Sequence, residues 1–254
     1  MTPRIVEVRQ NILKKNDQLA AALRARFRGA GVFVTSLVSS PGAGKTSFLE
    51  RTLVMLTASA RPAALVGDLA TECDATRLRR SGAPVRQITT GTVCHLDAAM
   101  VDAALSDWDL AEIDHLFIEN VGNLVCPASY DLGEQLRVVL LSVTEGEDKP
   151  LKYPTIFNTA DVAVITKIDL AAAVDFDGAA VRRNIDNVRP GLPVLEVSAR
   201  TGEGMEAWIQ LLESFACEWQ GASGRRERAT RPERAGVAAS EGGCKGVRGA
   251  KPLG

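Results

Sequence analysis

Apolar residues recur along the chain at two spacings. Short runs rich in Val, Ile and Leu occur at 32–38, 63–66, 85–88, 116–118, 138–143, 162–165 and 194–197, a length and composition that predict strands. Between most of them, 47–57, 96–105, 179–188 and 205–219 repeat apolar side chains every three or four positions, which predicts helices. A leading stretch, 6–27, sets Ile12, Leu19, Leu23 and Phe27 at helical intervals among Lys, Arg and Gln, predicting an amphipathic helix ahead of the first strand. Strands alternating with helices predict an α/β fold, a mostly parallel sheet with helices on both faces. After residue 220 the pattern stops and Gly, Ala, Ser and Arg take over, with eight basic residues against three acidic. The expected organisation is a leading helix over 1–30, one domain over 31–220 and a disordered basic tail over 221–254.

The first strand run meets the first internal helix at Ser39-Ser-Pro-Gly42-Ala-Gly44-Lys45-Thr46. Glycines at such a join let backbone N–H groups close around phosphate oxygens, and the helix N-terminus adds partial positive charge. Pro41, Gly42, Ala43, Gly44, Lys45, Thr46 and Ser47 are thus the expected phosphate cradle, with Lys45 on the β and γ phosphates and the Thr46 hydroxyl on Mg²⁺. The usual P-loop pattern has Gly where this chain has Ser39. A glycine-rich turn with a surface lysine is the alternative, and the flanking strand and helix argue against it.

Base choice is expected at Thr166-Lys167-Ile168-Asp169, directly after a strand run. The Asp169 carboxylate can accept from guanine N1 and N2, where adenine offers no matching donors; charge-assisted bonds contribute on the order of 1.5–3 kcal/mol each. Thr166 stands where GTPases usually carry Asn, which predicts a weakened brace on the phosphate loop. Ser198-Ala199-Arg200-Thr201 resembles the last GTPase element, whose backbone N–H groups touch the guanine oxygen. Together these predict a single P-loop NTPase domain that binds GTP.

Composition narrows the setting. The chain is 254 residues long, 46% hydrophobic, with 30 basic against 31 acidic residues, so one core is expected and nucleic acid is not the default partner. Neither a signal-peptide core nor an apolar stretch of roughly 20 residues is found, and a cytoplasmic location without a membrane contact is expected. Five cysteines in such a chain are better read as ligands or reactive groups than as a disulfide framework.

Glu119 ends a strand run and leads into Asn-Val-Gly122, where GTPases carry the Mg²⁺-binding acid and the glycine that contacts the γ-phosphate. Asp68 is a second candidate near the metal and Asp74, in the following loop, a third; an ordinary acidic loop residue is the alternative for each. Asn123 follows Gly122, so no Gln orients the attacking water, and slow turnover that rests on positioning and charge neutralisation is expected. Cys126 lies four residues past Gly122. Cys94 and His95 stand at the start of the 96–105 helical pattern, where a helix N-terminus favours a thiolate. These three are the expected ligands for Ni²⁺ or Zn²⁺ and leave one tetrahedral position for water or a second subunit. Cys73 stays ambiguous, Cys217 and Cys244 read as structural or incidental, and His115 as a loop cap.

Thr90-Gly-Thr-Val-Cys94-His95-Leu-Asp-Ala, Glu119-Asn-Val-Gly-Asn-Leu-Val-Cys126-Pro-Ala, Asp131-Leu-Gly-Glu134 and Ser142-Val-Thr-Glu-Gly-Glu-Asp-Lys149-Pro-Leu-Lys152-Tyr-Pro154 resemble the nickel-incorporation GTPases of the HypB family over about residues 5–219. The resemblance implies a GTPase that forms a homodimer when GTP is bound, with nickel or zinc at the interface on Cys94, His95 and Cys126. It also implies nickel delivery to the [NiFe]-hydrogenase large-subunit precursor with a HypA-type nickel chaperone. Many relatives carry Cys or His motifs near their N-terminus; the first 70 residues here hold neither, so nickel storage is not expected. Some members have His at the position of Ala99. Lys149 and Lys152 read either as charges reaching a neighbouring subunit's nucleotide or as a solvated loop. The urease nickel-insertion GTPases are the rival, but their Cys-Pro-His motif reads Cys126-Pro127-Ala128 here. A GTP-binding metal switch with negligible turnover is the other.

Overall fold

The structure is a computed structural model, and it describes residues 3–70 and 73–222, the first of these, 3–9, as backbone alone. In chain order the elements are α1 (Pro3–Ala30), β1 (Phe33–Ser39), α2 (Lys45–Leu56), β2 (Pro62–Asp68), α3 (Cys73–Leu78), β3 (Val85–Thr89), α4 (Ala98–Ala104) and β4 (His115–Glu119). There follow β5 (Leu136–Ser142), α5 (Lys149–Lys152), α6 (Pro154–Thr159), β6 (Val162–Thr166), α7 (Gly178–Val188), β7 (Val194–Val197) and α8 (Met205–Ala222). The strands form one sheet in the order β3-β2-β4-β1-β5-β6-β7, and every pairing is parallel. The fold is therefore α/β, as the alternating pattern predicts.

Alternate residues of each strand face opposite sides, so the sheet carries apolar surface on both. On one side Phe33, Leu37, Val138 and Val164 pack against Phe48 and Leu53 of α2 and Trp208 and Leu212 of α8. On the other, Val34, Leu65 and Ile118 meet Ala20, Leu23 and Phe27 of α1 and Val101 of α4; Val139, Leu141 and Ile165 meet Phe157, Val181 and Ile185.

Several expectations shift. The buried stripe of α1 is Asn16, Ala20, Leu23 and Phe27, while Ile12 is 53% exposed. The helix expected over 96–105 begins at Ala98, because the Asp97 side chain accepts from the Met100 N–H and caps it there. His115 does not cap a loop; it opens β4, with its ring 6.1 Å from that of Phe33. Helix α8 runs through Ala222, two residues past the expected boundary, and the rest of the basic tail, with Cys244, lies outside the described residues. Among the described residues no helix is long and apolar enough to cross a membrane.

Candidate functional site

All seven strands point their carboxyl ends the same way, so the loops after β1, β3, β4, β6 and β7 share one edge of the sheet, the edge where open α/β sheets bind ligands. After β1 the chain turns through Gly42 (φ 76°) and Gly44 (φ 90°), a left-handed conformation that residues with a side chain rarely adopt, and enters α2 at Lys45. Two side chains from the end of β6 hold this loop. The Thr166 hydroxyl donates to the Ala43 carbonyl at 2.6 Å, and Lys167 Nζ to the Gly42 carbonyl at 2.6 Å. The weakened brace expected from Thr166 is thus corrected: its short hydroxyl lies close enough behind the loop to bond directly.

Lys45 is buried, and its Nζ donates to Ser39 Oγ at 3.0 Å. Ser39, the departure from the usual glycine, therefore holds the lysine. Burial pulls the Lys45 ammonium below its ordinary range, against the opposing fields of Glu119, Asp74 and Glu145. The Thr46 hydroxyl donates to Glu119 Oε1 at 2.7 Å, while the buried Oε2 has no hydrogen-bond partner. Burial pushes the Glu119 carboxyl up to about 7, opposed by Lys45 and by the Thr46 hydroxyl. An unsatisfied buried carboxylate oxygen beside a threonine hydroxyl suits a hard divalent cation such as Mg²⁺. Asp68 ends β2 and its carboxylate takes the Leu69 N–H at 2.7 Å; Asp74, expected in a loop, stands in the first turn of α3, and of the two acids it is the one whose field reaches both Lys45 and Glu119.

A cleft of about 210 Å³ opens beside Gly44 and Ser47, lined by Phe48, Asp169, Ala199 and Arg200 among others. Ser198 Oγ donates to Asp169 Oδ1 at 2.6 Å and fixes that carboxylate. The Ser198 N–H itself is taken by the Glu203 carbonyl at 2.9 Å, which leaves Ala199 and Arg200 as the residues of this motif that line the cleft. Lys149 does not stand off in solvent: Nζ donates to Ser40 Oγ of the same chain's phosphate loop at 3.3 Å and pairs with Glu145 at 3.5 Å. Lys152 pairs with Asp148 on the surface.

Gly122, in the loop after β4, packs onto the phosphate loop. A Cβ there would lie 2.9 Å from Pro41 Cα and 3.0 Å from Pro41 N, so only glycine permits this approach. Four residues on, Cys126 Sγ is 3.0 Å from Cys94 Sγ. The ligand atoms of Cys94, His95 and Cys126 all lie within 4.8 Å of one another. Cys94 and His95 sit in the loop ahead of α4 and not at its first turn, which corrects the expected helix-end effect on Cys94. Asparagines hold this loop instead: Asn120 Oδ1 accepts from the Leu96 and Val121 N–H groups, and Asn123 Nδ2 donates to the Cys94 carbonyl. The His95 ring stacks on Tyr130, centroids 3.9 Å apart, and its Nδ1 is buried without a hydrogen-bond partner. Burial, opposed by Asp97, holds this imidazole below its ordinary pKa and so favours the neutral, metal-ligating form. Two adjoining thiols and an orphaned ring nitrogen fit a borderline-soft divalent cation.

The sequence gives no sign that Asn120 and Asn123 brace the Cys94-His95 loop or that Tyr130 meets His95. The two asparagines lie inside the Glu119–Cys126 run, whereas nothing local marks Tyr130. A larger cleft, about 320 Å³, lies beside Tyr130, and both arginines that line it are held by its own acids, Arg24 by Asp131 and Arg137 by Glu134.

The model of the CobW/HypB/UreG nucleotide-binding domain matches residues 33–196. A hydrogenase maturation factor HypB of Azotobacter vinelandii is 53% identical over 211 residues, covering 83% of this chain and 69% of that protein. The crystal structure of HypB from Helicobacter pylori in complex with nickel superposes with a TM-score of 0.76 at 41% identity, covering 80% of this chain and 96% of that one. HypB from Archaeoglobus fulgidus gives 0.75 at 38% identity, covering 80% and 99%. With a family model across most of the sheet and relatives this similar over most of both chains, this protein belongs to the HypB family of hydrogenase maturation factors.

Proposed function

We propose that this chain is a GTP-hydrolysing metallochaperone that delivers nickel to the [NiFe]-hydrogenase large-subunit precursor, its nucleotide state coupled to dimerisation and metal affinity. The observation that carries the reading is one short segment: Gly122 rests on the phosphate loop at Pro41 while Cys126 touches Cys94. A γ-phosphate that recruits the Gly122 backbone shifts Cys126 with it. The cargo site then senses the nucleotide.

In this reading the N–H groups of residues 41–47 and Lys45 take up the phosphate chain, and Lys45 leaves Ser39 to do so. Mg²⁺, when bound, neutralises charge on the β and γ phosphates. Thr46 and Glu119 would hold it, with Asp68 and Asp74 as the further candidate acids. Asp169, fixed by Ser198, accepts from guanine N1 and N2, and Lys167, Ala199 and Arg200 complete the base site. Water attacks the γ-phosphorus, giving GDP and phosphate, and with Asn123 after Gly122 turnover is slow. Cys94, His95 and Cys126 hold Ni²⁺ or Zn²⁺, and the fourth position falls to water or to a second subunit in the GTP-bound homodimer. A HypA-type chaperone and the hydrogenase precursor are the partners, in the cytoplasm. The names of the relatives favour hydrogenase over urease maturation.

Purified wild type is expected to release phosphate from GTP at a measurable rate, and Lys45→Ala to lose at least about 100-fold, the order attached to one lost electrostatic contact in the transition state. Equal phosphate release by the two proteins would reduce the chain to a nucleotide-binding switch.

A further inference from the structure

Helix α1 carries no metal ligand, yet one of its side chains ties together both loops that do. Asn16 is 5% exposed. Its Nδ2 donates to the Asp131 carbonyl at 2.9 Å, and its Oδ1 accepts from the Ala98 N–H at 2.9 Å. Asp131 directly follows Tyr130, the residue stacked on His95, and closes the stretch that begins at Cys126. Ala98 is the first residue of α4, three past His95. Both ends of one buried amide are thus used, in opposite senses, and a reversed amide would set donor against donor and acceptor against acceptor. Neighbouring contacts on α1 reinforce the same two loops: Arg24 holds the Asp131 carboxylate at 2.7 and 2.8 Å, and Arg26 reaches Asp102 and the Leu105 carbonyl at the far end of α4.

We infer that Asn16 is a positioning residue for the metal site, holding the Cys94-His95 loop and the Cys126–Tyr130 segment at the separation at which the three ligands converge. Three asparagines share the work. Asn120 and Asn123 act from within the switch segment, so they move when it moves; Asn16 acts from α1, a helix packed on the sheet and α4, and supplies the fixed reference. Removing it frees the ligand loops relative to each other and leaves the phosphate loop and base cleft untouched, since α1 lines neither. Groups that orient metal ligands from outside the coordination shell typically change affinity by 10- to 100-fold when removed; Asn16 acts through backbone and a stacked ring, so the low end, about tenfold, is expected.

The inference rests on Cys94, His95 and Cys126 being metal ligands, and the test separates the two. Full-length wild type, Asn16→Leu, Asn16→Asp and Cys126→Ala are titrated with Ni²⁺, following the near-ultraviolet thiolate-to-nickel absorption, and with Zn²⁺ by its loss as Zn²⁺ displaces the bound Ni²⁺, and each preparation is titrated with fluorescent GDP. Asn16→Leu is expected to bind Ni²⁺ about tenfold more weakly with an altered absorption band, and GDP within twofold of wild type. Asn16→Asp keeps the acceptor for Ala98 but sets an oxygen against the Asp131 carbonyl, and falls in the same direction. Wild-type metal affinity in both Asn16 variants overturns the inference, as does a parallel loss of metal and GDP affinity, which would mark a general loosening of the fold. A wild type indistinguishable from Cys126→Ala overturns the metal-site reading beneath it.

Discussion

Glu119 is the most sharply defined residue of the phosphate edge: one oxygen takes the Thr46 hydroxyl and the other is buried without a partner. With no Mg²⁺ or nucleotide, burial keeps its carboxyl protonated up to about 7, against an ordinary value of 4.5. Between those two values the folded chain holds a proton that the unfolded chain has released, so its stability falls as pH rises across that window and levels off above it. Chemical denaturation of the nucleotide-free, metal-free protein from pH 4.5 to 8 is expected to show that fall in wild type and a shallower one in Glu119→Gln, whose amide does not ionise. Matching pH profiles would mean that Glu119 ionises normally. Residues of this kind are legible in sequence because Lys45, Thr46, Glu119 and Gly122 stand in short local patterns tied to strand ends. Asn16 and Tyr130 are not: the partners of Asn16 lie 115 and 82 residues away, and a buried asparagine in an amphipathic helix looks like any polar position until the fold closes over it.

At the scale of elements, the joint between β6 and the phosphate loop depends on a single hydroxyl. Thr166 is 3% exposed and bonds the Ala43 carbonyl; Thr166→Val keeps the shape and leaves that carbonyl unsatisfied, at about 1–3 kcal/mol. If the strain falls on the loop, GDP affinity drops about tenfold, each tenfold being about 1.4 kcal/mol, as read by fluorescent GDP titration. Unchanged affinity would assign the brace to Lys167 alone. Most strands and the long helices follow from hydrophobic period, since each buries one stripe or two faces. The short helices α3, α5 and α6 span four to six residues, too short for a period to register, and the Asp97 cap starts α4 at Ala98, two residues beyond the first apolar position, Leu96.

For the whole molecule, strand order explains why one segment can serve two sites. The central β1 delivers the phosphate loop, and β4, hydrogen-bonded beside it, delivers Glu119, Gly122 and Cys126. The loops after β6 and β7, which carry Asp169, Ala199 and Arg200, lie to one side. The Cys94-His95 loop after the edge strand β3 lies to the other. The loop after β4 therefore runs from Gly122 on the phosphate loop to Cys126 beside Cys94, and in the proposed mechanism a coupling free energy of about 1.4 kcal/mol through it corresponds to a tenfold change in metal affinity. The most direct test is a metal titration of wild type and Cys126→Ala, each with GDP and with a non-hydrolysable GTP analogue. Wild-type affinity is predicted to differ by at least about tenfold between the two nucleotide states, with the difference abolished in Cys126→Ala. Identical wild-type affinities in both states would contradict the coupling.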